Sequence, residues 1–261
     1  MSFEDRLEEI GPSEEWSVSG YKSMEDCGFQ WHQKYRAKTL VPIQTPPLAF
    51  GSAVHKCIER LHVEGDKWDD AQWQRMWNDE WYTYSQEVNW SNYRKGSFDN
   101  LGYSILSKYV DSNKDVVPLR NEWKFGGEES PTMLGRFKIK GIIDQIRRRE
   151  DGRLMIVDFK TSKDEPEELM LRSDPQFTMY YHVVREAYGE EPVVYWYHLR
   201  TGRLIETKRN PKDIAFTQRL LTQAQRKVDA QMFERSPGYH CKFCPLKLEC
   251  LTAVQQENDN V

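Results

Sequence analysis

The sequence has no apolar run long enough to span a bilayer, and its first residues, Met1-Ser2-Phe3-Glu4-Asp5-Arg6, have no signal-like apolar core. A cytoplasmic protein without a membrane partner is the expectation. Excess charge is also scarce: the net charge is −4 over 261 residues, which excludes gripping a polyanion by bulk positive charge. Any nucleic-acid role therefore needs a local basic groove and bound metal. Cysteine is limited to five residues, which in the cytosolic compartment expected here argue against a disulfide framework and toward metal binding or buried thiols. Internal repeats and low-complexity tracts are absent. Aromatic residues, by contrast, are abundant, with nine tryptophans, and one large domain with helical additions is affordable at this length.

Residues 141–160 carry the strongest local signal. Ile142, Ile143 and Ile146 are β-branched, Leu154–Val157 is an apolar run of strand length, and Glu150-Asp151-Gly152 between them has turn chemistry. Asp158 and Lys160 then share one face of a strand while Phe159 takes the other. A two-residue loop would put Asp144 opposite Phe159. A three-residue loop ending in a left-handed Gly152 puts Asp144 opposite Asp158, and this is the register expected, because it gathers Asp144, Asp158 and Lys160 on one patch. Two carboxylates held together disfavour joint ionisation, and a divalent cation such as Mg²⁺ removes the conflict. A hairpin end with solvated charges is the plain alternative.

Elsewhere the chain reads as a polar lead-in over residues 1–20, then a short helix from Ser23 holding Cys27. A proline-rich link (Pro42, Pro46, Pro47) precedes a helix from Phe50 to Leu61. His55 lies beside that helix's apolar stripe, where an ordinary helix histidine is the bland reading, and Cys57 reads as a small buried hydrophobe. Trp73, Trp77 and Trp81, at i, i+4 and i+8 of a helix over 70–88, favour core over a base-stacking face. A further helix is expected over 98–111, and Glu122 reads as an exposed strand acid that could approach a metal. Ser173-Asp174-Pro175 opens a helix that Gly189 ends. Gln176 and Tyr180 share its face and, judged alone, merely flank a core stripe. A second hairpin (193–199 with 204–208) and a helix from Pro211 to about 234 complete the body.

Near the end, Cys241, Cys244 and Cys250 follow a C-x2-C-x5-C spacing that brings three soft ligands to one centre, with Cys27 the candidate for a fourth. Spacing leaves zinc and an iron–sulfur cluster equally open. A centre tying Cys27 to residues 241–250 closes a very long loop, so its role is expected to be structural.

Taken together, Gly51-Ser52-Ala53-Val54-His55, Gly141-Ile142-Ile143-Asp144, Asp158-Phe159-Lys160-Thr161 and Gln176-Phe177-Thr178-Met179-Tyr180 occur in the order and spacing of the RecB-like PD-(D/E)XK nucleases, which this chain resembles. With Cys27, Cys241, Cys244 and Cys250 it resembles their iron–sulfur subset, which includes the AddB-type nuclease domain and the CRISPR-associated exonuclease. Gly28 after Cys27, where proline is usual, and Asp158, where the CRISPR-associated branch commonly has glutamate, depart from the pattern.

The resemblance implies an α/β core, a mixed sheet flanked by helices, over a single nuclease domain at 21–250. It also implies a helical insertion at about 66–115, a polar tail at 251–261 and a cysteine-bound cluster joining the N- and C-terminal segments. It implies that His55, Asp144, Asp158 and the Phe159 carbonyl hold Mg²⁺ or Mn²⁺, that Lys160 orients the attacking water, and that Gln176 and Tyr180 support the site. The cluster it implies is 4Fe–4S rather than zinc. The expected activity is a DNA exonuclease acting on single strands or free ends in a bacterial or phage-infected cell. Recombination or CRISPR-adaptation proteins are the expected partners. A catalytically silent DNA-binding or adaptor module is the alternative.

Overall fold

The computed structural model describes residues 15–40, 44–64, 68–86, 88–90, 93–128, 130–242 and 244–252. The expected lead-in up to residue 14, Pro42 of the expected link, and the tail beyond 252 lie outside them. In chain order the elements are β1 (Glu15–Ser17), α1 (Val18–Asp26), α2 (Gly28–Trp31), a π-helical turn (His32–Arg36), α3 (Pro46–Glu64), α4 (Asp70–Ser85) and α5 (Lys95–Asn113). Then follow β2 (Arg120–Phe125), β3 (Thr132–Leu134), β4 (Phe137–Arg148), β5 (Leu154–Lys160), α6 (Glu168–Ser173), α7 (Pro175–Tyr188), β6 (Val193–His198), β7 (Arg203–Glu206) and α8 (Pro211–Asp229). Among the described residues no helix is long and apolar enough to cross a membrane. The result is the mixed α/β fold expected, a mixed sheet flanked by helices.

The chain divides into two compact units, one of residues Met1–Ile43, Phe125–Gly141 and Lys212–Val261, the other of Gln44–Lys124 and Ile142–Pro211. In the first, β1 runs parallel to the start of β4 (Trp16 opposite Ile139) and β3 runs antiparallel to it (Leu134 opposite Phe137). Here the structure corrects three expectations. Residues 15–20 are strand and helix rather than lead-in, because Trp16 is buried and its indole N–H finds the Gln225 amide oxygen at 3.1 Å. Cys27 is not inside a helix either. It is the extended joint between α1 and α2 (φ −162°), so its thiol leaves the helix surface. The α8 helix stops at Asp229, short of the expected 234, where Gln231 turns left-handed (φ 53°). Beyond it Glu234 accepts the Phe29 N–H at 3.1 Å, and Phe233 stacks on Trp31.

The second unit holds the candidate active site. Its ladder pairs β4 antiparallel to β5, β5 parallel to β6, and β6 antiparallel to β7. The β4–β5 register sets Gln145 against Val157 and Arg148 against Leu154, and Arg149 N–H reaches Arg153 carbonyl at 2.9 Å. This is the three-residue-loop register, with Gly152 left-handed at φ +83°. Glycine meets that geometry without the steric cost any Cβ carries. One step further along the same register, Asp144 faces Asp158.

Helices α3, α4 and α5 build the core against one face of β5 and β6. Phe50, Val54, Cys57, Ile58, Trp77, Trp81, Leu106, Tyr109, Val157, Phe159 and Tyr197 form one buried cluster. The tryptophan stripe of α4 is core, as its spacing favoured. Trp77 and Trp81 stack at 5.4 Å, and the Trp73 and Trp77 indoles donate to Asp70 and Asp99. Burying each such ring contributes about 1.5–3 kcal/mol, and satisfying its N–H avoids the penalty of a stranded donor. Gly102 of α5 has no room for a Cβ, which would sit 2.0 Å from the Trp77 ring.

Pro46 and Pro47, expected in a link, instead begin α3. A helix's first turn has no intrahelical use for the N–H that proline lacks. Asp174 caps α7 by accepting the Gln176 N–H, Pro175 sits at its first position, and Gly189 ends it left-handed, as the sequence indicated.

Candidate active site

Four elements deliver the expected site residues of this unit: His55 from the middle of α3, Asp144 from β4, Asp158 and Lys160 from the end of β5, and Gln176 and Tyr180 from the first turns of α7. They form one connected set. The His55 Nδ1 lies 3.6 Å from Asp144 Oδ1, while Asp144 Oδ2 accepts the Phe159 backbone N–H at 2.6 Å. Lys160 Nζ stands 2.6 Å from the buried Asp158 Oδ2 as an ion pair. Gln176 Nε2 donates to Asp158 Oδ1 at 3.0 Å and to the Tyr180 hydroxyl at 2.9 Å, and that hydroxyl donates to the Ile142 carbonyl at 2.6 Å. Gln176 and Tyr180 thus do more than flank a core stripe.

The electrostatics follow from crowding these charges out of water. Burial pushes the Asp158 carboxyl up to about 6, Lys160 opposes that rise, and the Asp144 charge adds to it. Asp144 goes the other way: burial raises it, but His55, Lys160 and the Phe159 N–H together hold it below the usual carboxylate value. His55 is lowered by burial and then lifted past its ordinary value by Asp144. Burial lowers the Lys160 ammonium, and the two carboxylates lift it above normal, so it stays charged. Carboxylates whose environments push their pKa values apart mark functional sites.

Glu122 is the residue that sequence reasoning underrated. It is half-buried rather than an exposed strand acid, and its ligand oxygen, a His55 ring nitrogen and an Asp144 oxygen all lie within 4.8 Å of one another. Among the described residues this is the one group of three such donors. Burial, then the Asp144 charge, push the Glu122 carboxyl up to about 7. Its backbone is left-handed at φ 46° inside β2, a conformation that costs a non-glycine residue roughly 1–3 kcal/mol. Nothing in Asn121-Glu122-Trp123 signals that kink. A cleft of about 590 Å³ opens onto His55 and Glu122, lined also by Lys56, Lys124, Tyr84 and Thr161 among others. The donor set of one imidazole and several carboxylates suits a hard or borderline divalent cation such as Mg²⁺ or Mn²⁺.

The expected cysteine centre belongs to the other unit. Cys27, Cys241, Cys244 and Cys250 are all free thiols and line one cavity of about 190 Å³. Gln30 Nε2 points at Cys244 Sγ from 3.5 Å, and the Gly238 N–H at Cys241 Sγ from 3.4 Å. Burial raises the Cys244 thiol, with smaller upward contributions from Cys250, Cys241 and Cys27 set against the Leu246 N–H. Four soft donors around one space, two of them already receiving hydrogen bonds, fit a thiolate-bound centre. The fifth cysteine, Cys57, is fully buried in the α3 stripe, its thiol pushed up to about 12 by burial, and packs as the small hydrophobe expected.

Comparison with known proteins agrees with this geometry. Over 169 residues the chain is 28% identical to an ATP-dependent helicase/nuclease component of Streptococcus agalactiae, in strains of serotypes Ia, V and III. That alignment takes in 61% of this chain but 13% of the relative, so the chain spans about an eighth of that protein's length. A crystal structure of a candidate exonuclease from Eubacterium rectale superposes with a TM-score of 0.54 at 15% identity, covering 94% of this chain and 92% of the other. That likeness concerns the fold. Residues 15–250 match the family model described as the PD-(D/E)XK nuclease superfamily. Matched over nearly its whole length, the chain belongs to the PD-(D/E)XK nuclease superfamily.

Proposed function

We propose that the protein is a divalent-cation-dependent deoxyribonuclease, an exonuclease acting on single strands or free DNA ends. The observation that carries this reading is the convergence of His55, Asp144, Asp158 and Lys160 at the end of the β4–β5 ladder away from its turn, where Asp144 and Asp158 face each other and Lys160 stands beside them. His55, Asp144, Asp158 and the Phe159 carbonyl would hold Mg²⁺ or Mn²⁺, which when bound would polarise the scissile phosphate and lower the pKa of a water. The chain's own residues do the rest. Lys160 orients the attacking water and offsets charge building on the phosphate. Asp158 anchors the Lys160 ammonium, and Gln176 fixes Asp158 from α7 while the Tyr180 hydroxyl ties that helix to the Ile142 carbonyl.

The four cysteines are read as ligands of a structural 4Fe–4S cluster clamping the N- and C-terminal segments. All four thiols line one cavity, which supports a shared thiolate centre, and the resemblance to the iron–sulfur subset favours 4Fe–4S over zinc. DNA processing in a bacterial or phage-infected cell, in recombination or CRISPR adaptation, fits this activity, and the names of the relatives support a nuclease.

The test is digestion of linear and circular DNA, single- and double-stranded, with Mg²⁺ or Mn²⁺ and with chelator. Metal-dependent loss of linear DNA that spares circles is expected, and Lys160→Ala should abolish it in a folded protein. No digestion under any condition would establish the silent adaptor reading instead. Iron and sulfide analysis of the purified protein separates the cluster from zinc, and Cys250→Ala should lose metal and thermal stability together.

A further inference from the structure

Lys160 ends β5, paired with His198 at the end of the parallel β6. The sheet ladder stops at that pair, yet the backbone carbonyls from Lys160 onward are all taken. The Leu199 N–H donates to the Lys160 carbonyl at 3.0 Å, Arg200 Nε to the Thr161 carbonyl at 2.8 Å, and His198 Nε2 to the Ser162 carbonyl at 2.9 Å. Three successive residues at one strand end thus fasten three successive carbonyls at the other. The His198 ring is itself fixed. It is buried, stacks on Trp196 at 5.1 Å, and sets Nδ1 3.0 Å from the Thr201 hydroxyl and 3.2 Å from Glu165. A carbonyl only accepts, so Nε2 carries the proton. Glu165, from the same segment as Ser162, is held in turn by Arg203. Thr161 lines the cleft, and a Cβ built on Gly51 of α3 would stand 3.3 Å from its hydroxyl.

We propose that His198 and Arg200 are positioning residues for cleavage: they lock the backbone leaving β5, and through it hold the Lys160 ammonium in line with the attacking water. This rests on the nuclease reading and adds two supports to that same site. A lysine ammonium sits on a flexible four-carbon stem. Asp158 holds the tip of that stem at 2.6 Å, and the clamp from β6 holds its root. A misplacement on the order of 1 Å can cost about a hundredfold in rate, so loss of one carbonyl bond should be read in kcat.

Steady-state cleavage of linear DNA by the full chain tests this, with Mn²⁺ affinity and the metal-free unfolding midpoint measured alongside. The variants are His198→Gln, His198→Asn and Arg200→Met. The first two separate the edges of the ring, because a glutamine amide nitrogen falls near imidazole Nε2 and an asparagine one near Nδ1. His198→Asn gives up the Ser162 carbonyl and should lose roughly ten- to a hundredfold in kcat, with KM and Mn²⁺ affinity held. His198→Gln keeps that bond and should return kcat to within a few-fold of wild type. Arg200→Met changes a half-buried side chain and should lose kcat several-fold at unchanged KM, a result that stands even if the histidine variants fail to fold. Equal kcat losses in His198→Gln and His198→Asn, each following its unfolding midpoint, would make the ring structural and overturn its role. Wild-type kcat in Arg200→Met, or a raised KM alone, would overturn the arginine's. If the wild-type chain cleaves no DNA with either metal, the nuclease reading falls, and the clamp with it. Cleavage by wild type and variants alike would remove the clamp and leave that reading standing.

Discussion

Helix α3 carries two histidines two turns apart on one side, and they meet opposite fates. His55 keeps 26% of its side chain open to solvent, faces Asp144, and is lifted above its ordinary value. His62 hydrogen-bonds the Tyr109 hydroxyl at 2.8 Å, packs edge-on to Trp68, and is lowered to about 4, first by burial and then by the Arg147 cation. Helix, residue type and desolvation are shared. The difference is the charge nearby: a carboxylate beside one ring, and beside the other a buried guanidinium hydrogen-bonded to the neutral Asn113 and Gln145. One end of the helix is thereby arranged to attract a cation, and the other is held neutral as structure.

The largest effect expected is at the His55 end. Asp144→Asn should cost cleavage roughly a thousandfold, the loss of several kcal/mol of metal-derived stabilisation. In the metal-free protein, the same change should lower the His55 imidazole in an NMR titration, because burial and the Lys160 charge are then opposed only by the smaller pull of Asp158, and leave His62 where it was. An unmoved His55 would show that Asp144 is not what lifts it. Next in size, Arg147→Met should strand the Asn113 and Gln145 oxygens and destabilise the fold by about 1–3 kcal/mol in denaturant unfolding. It should also move His62 only partway back toward 6.5, since burial is the larger cause.

The smallest effect separates the two rings by sign. His62 is depressed in the folded state, so its contribution to stability is complete above 6.5 and is lost as pH falls toward 4. His55 is raised, so its contribution is present below 6.5 and is lost as pH climbs through its folded value. Between pH 7 and 5, His62→Gln should remove about 1 kcal/mol of acid sensitivity, after allowing for screening at a half-buried position. His55→Gln should make the metal-free protein more acid-sensitive.

Much of this was legible in the sequence, for local reasons. Gly152 permits one tight turn, that turn fixes the hairpin register, and the register places Asp144 against Asp158. The Asp174 cap, Pro175 and Gly189 bounded α7 to the residue. The α4 tryptophans repeated at the helical period, and the core took them. What stayed hidden depends on distant partners. The β1 strand exists because Ile139 and Gln225, far along the chain, receive Trp16. The left-handed Glu122 carries no glycine or asparagine to announce it, and its neighbour Asn121 is held by hydrogen bonds to Glu59 and Gln145 from other elements. Pro46 and Pro47 misled because the same residue that breaks a helix also starts one.

Phe159 has a double attachment with a practical result. Its amide grips the Asp144 carboxylate, while its ring sits among Tyr109 and Tyr197 and meets the His55 imidazole edge-on at 6.1 Å. Two of the proposed metal donors are therefore tethered to the hydrophobic interior through one residue. Warming that loosens the interior should blunt cleavage before the secondary structure melts, so the enzyme's working temperature would be capped by the fit of three rings rather than by the unfolding of the chain.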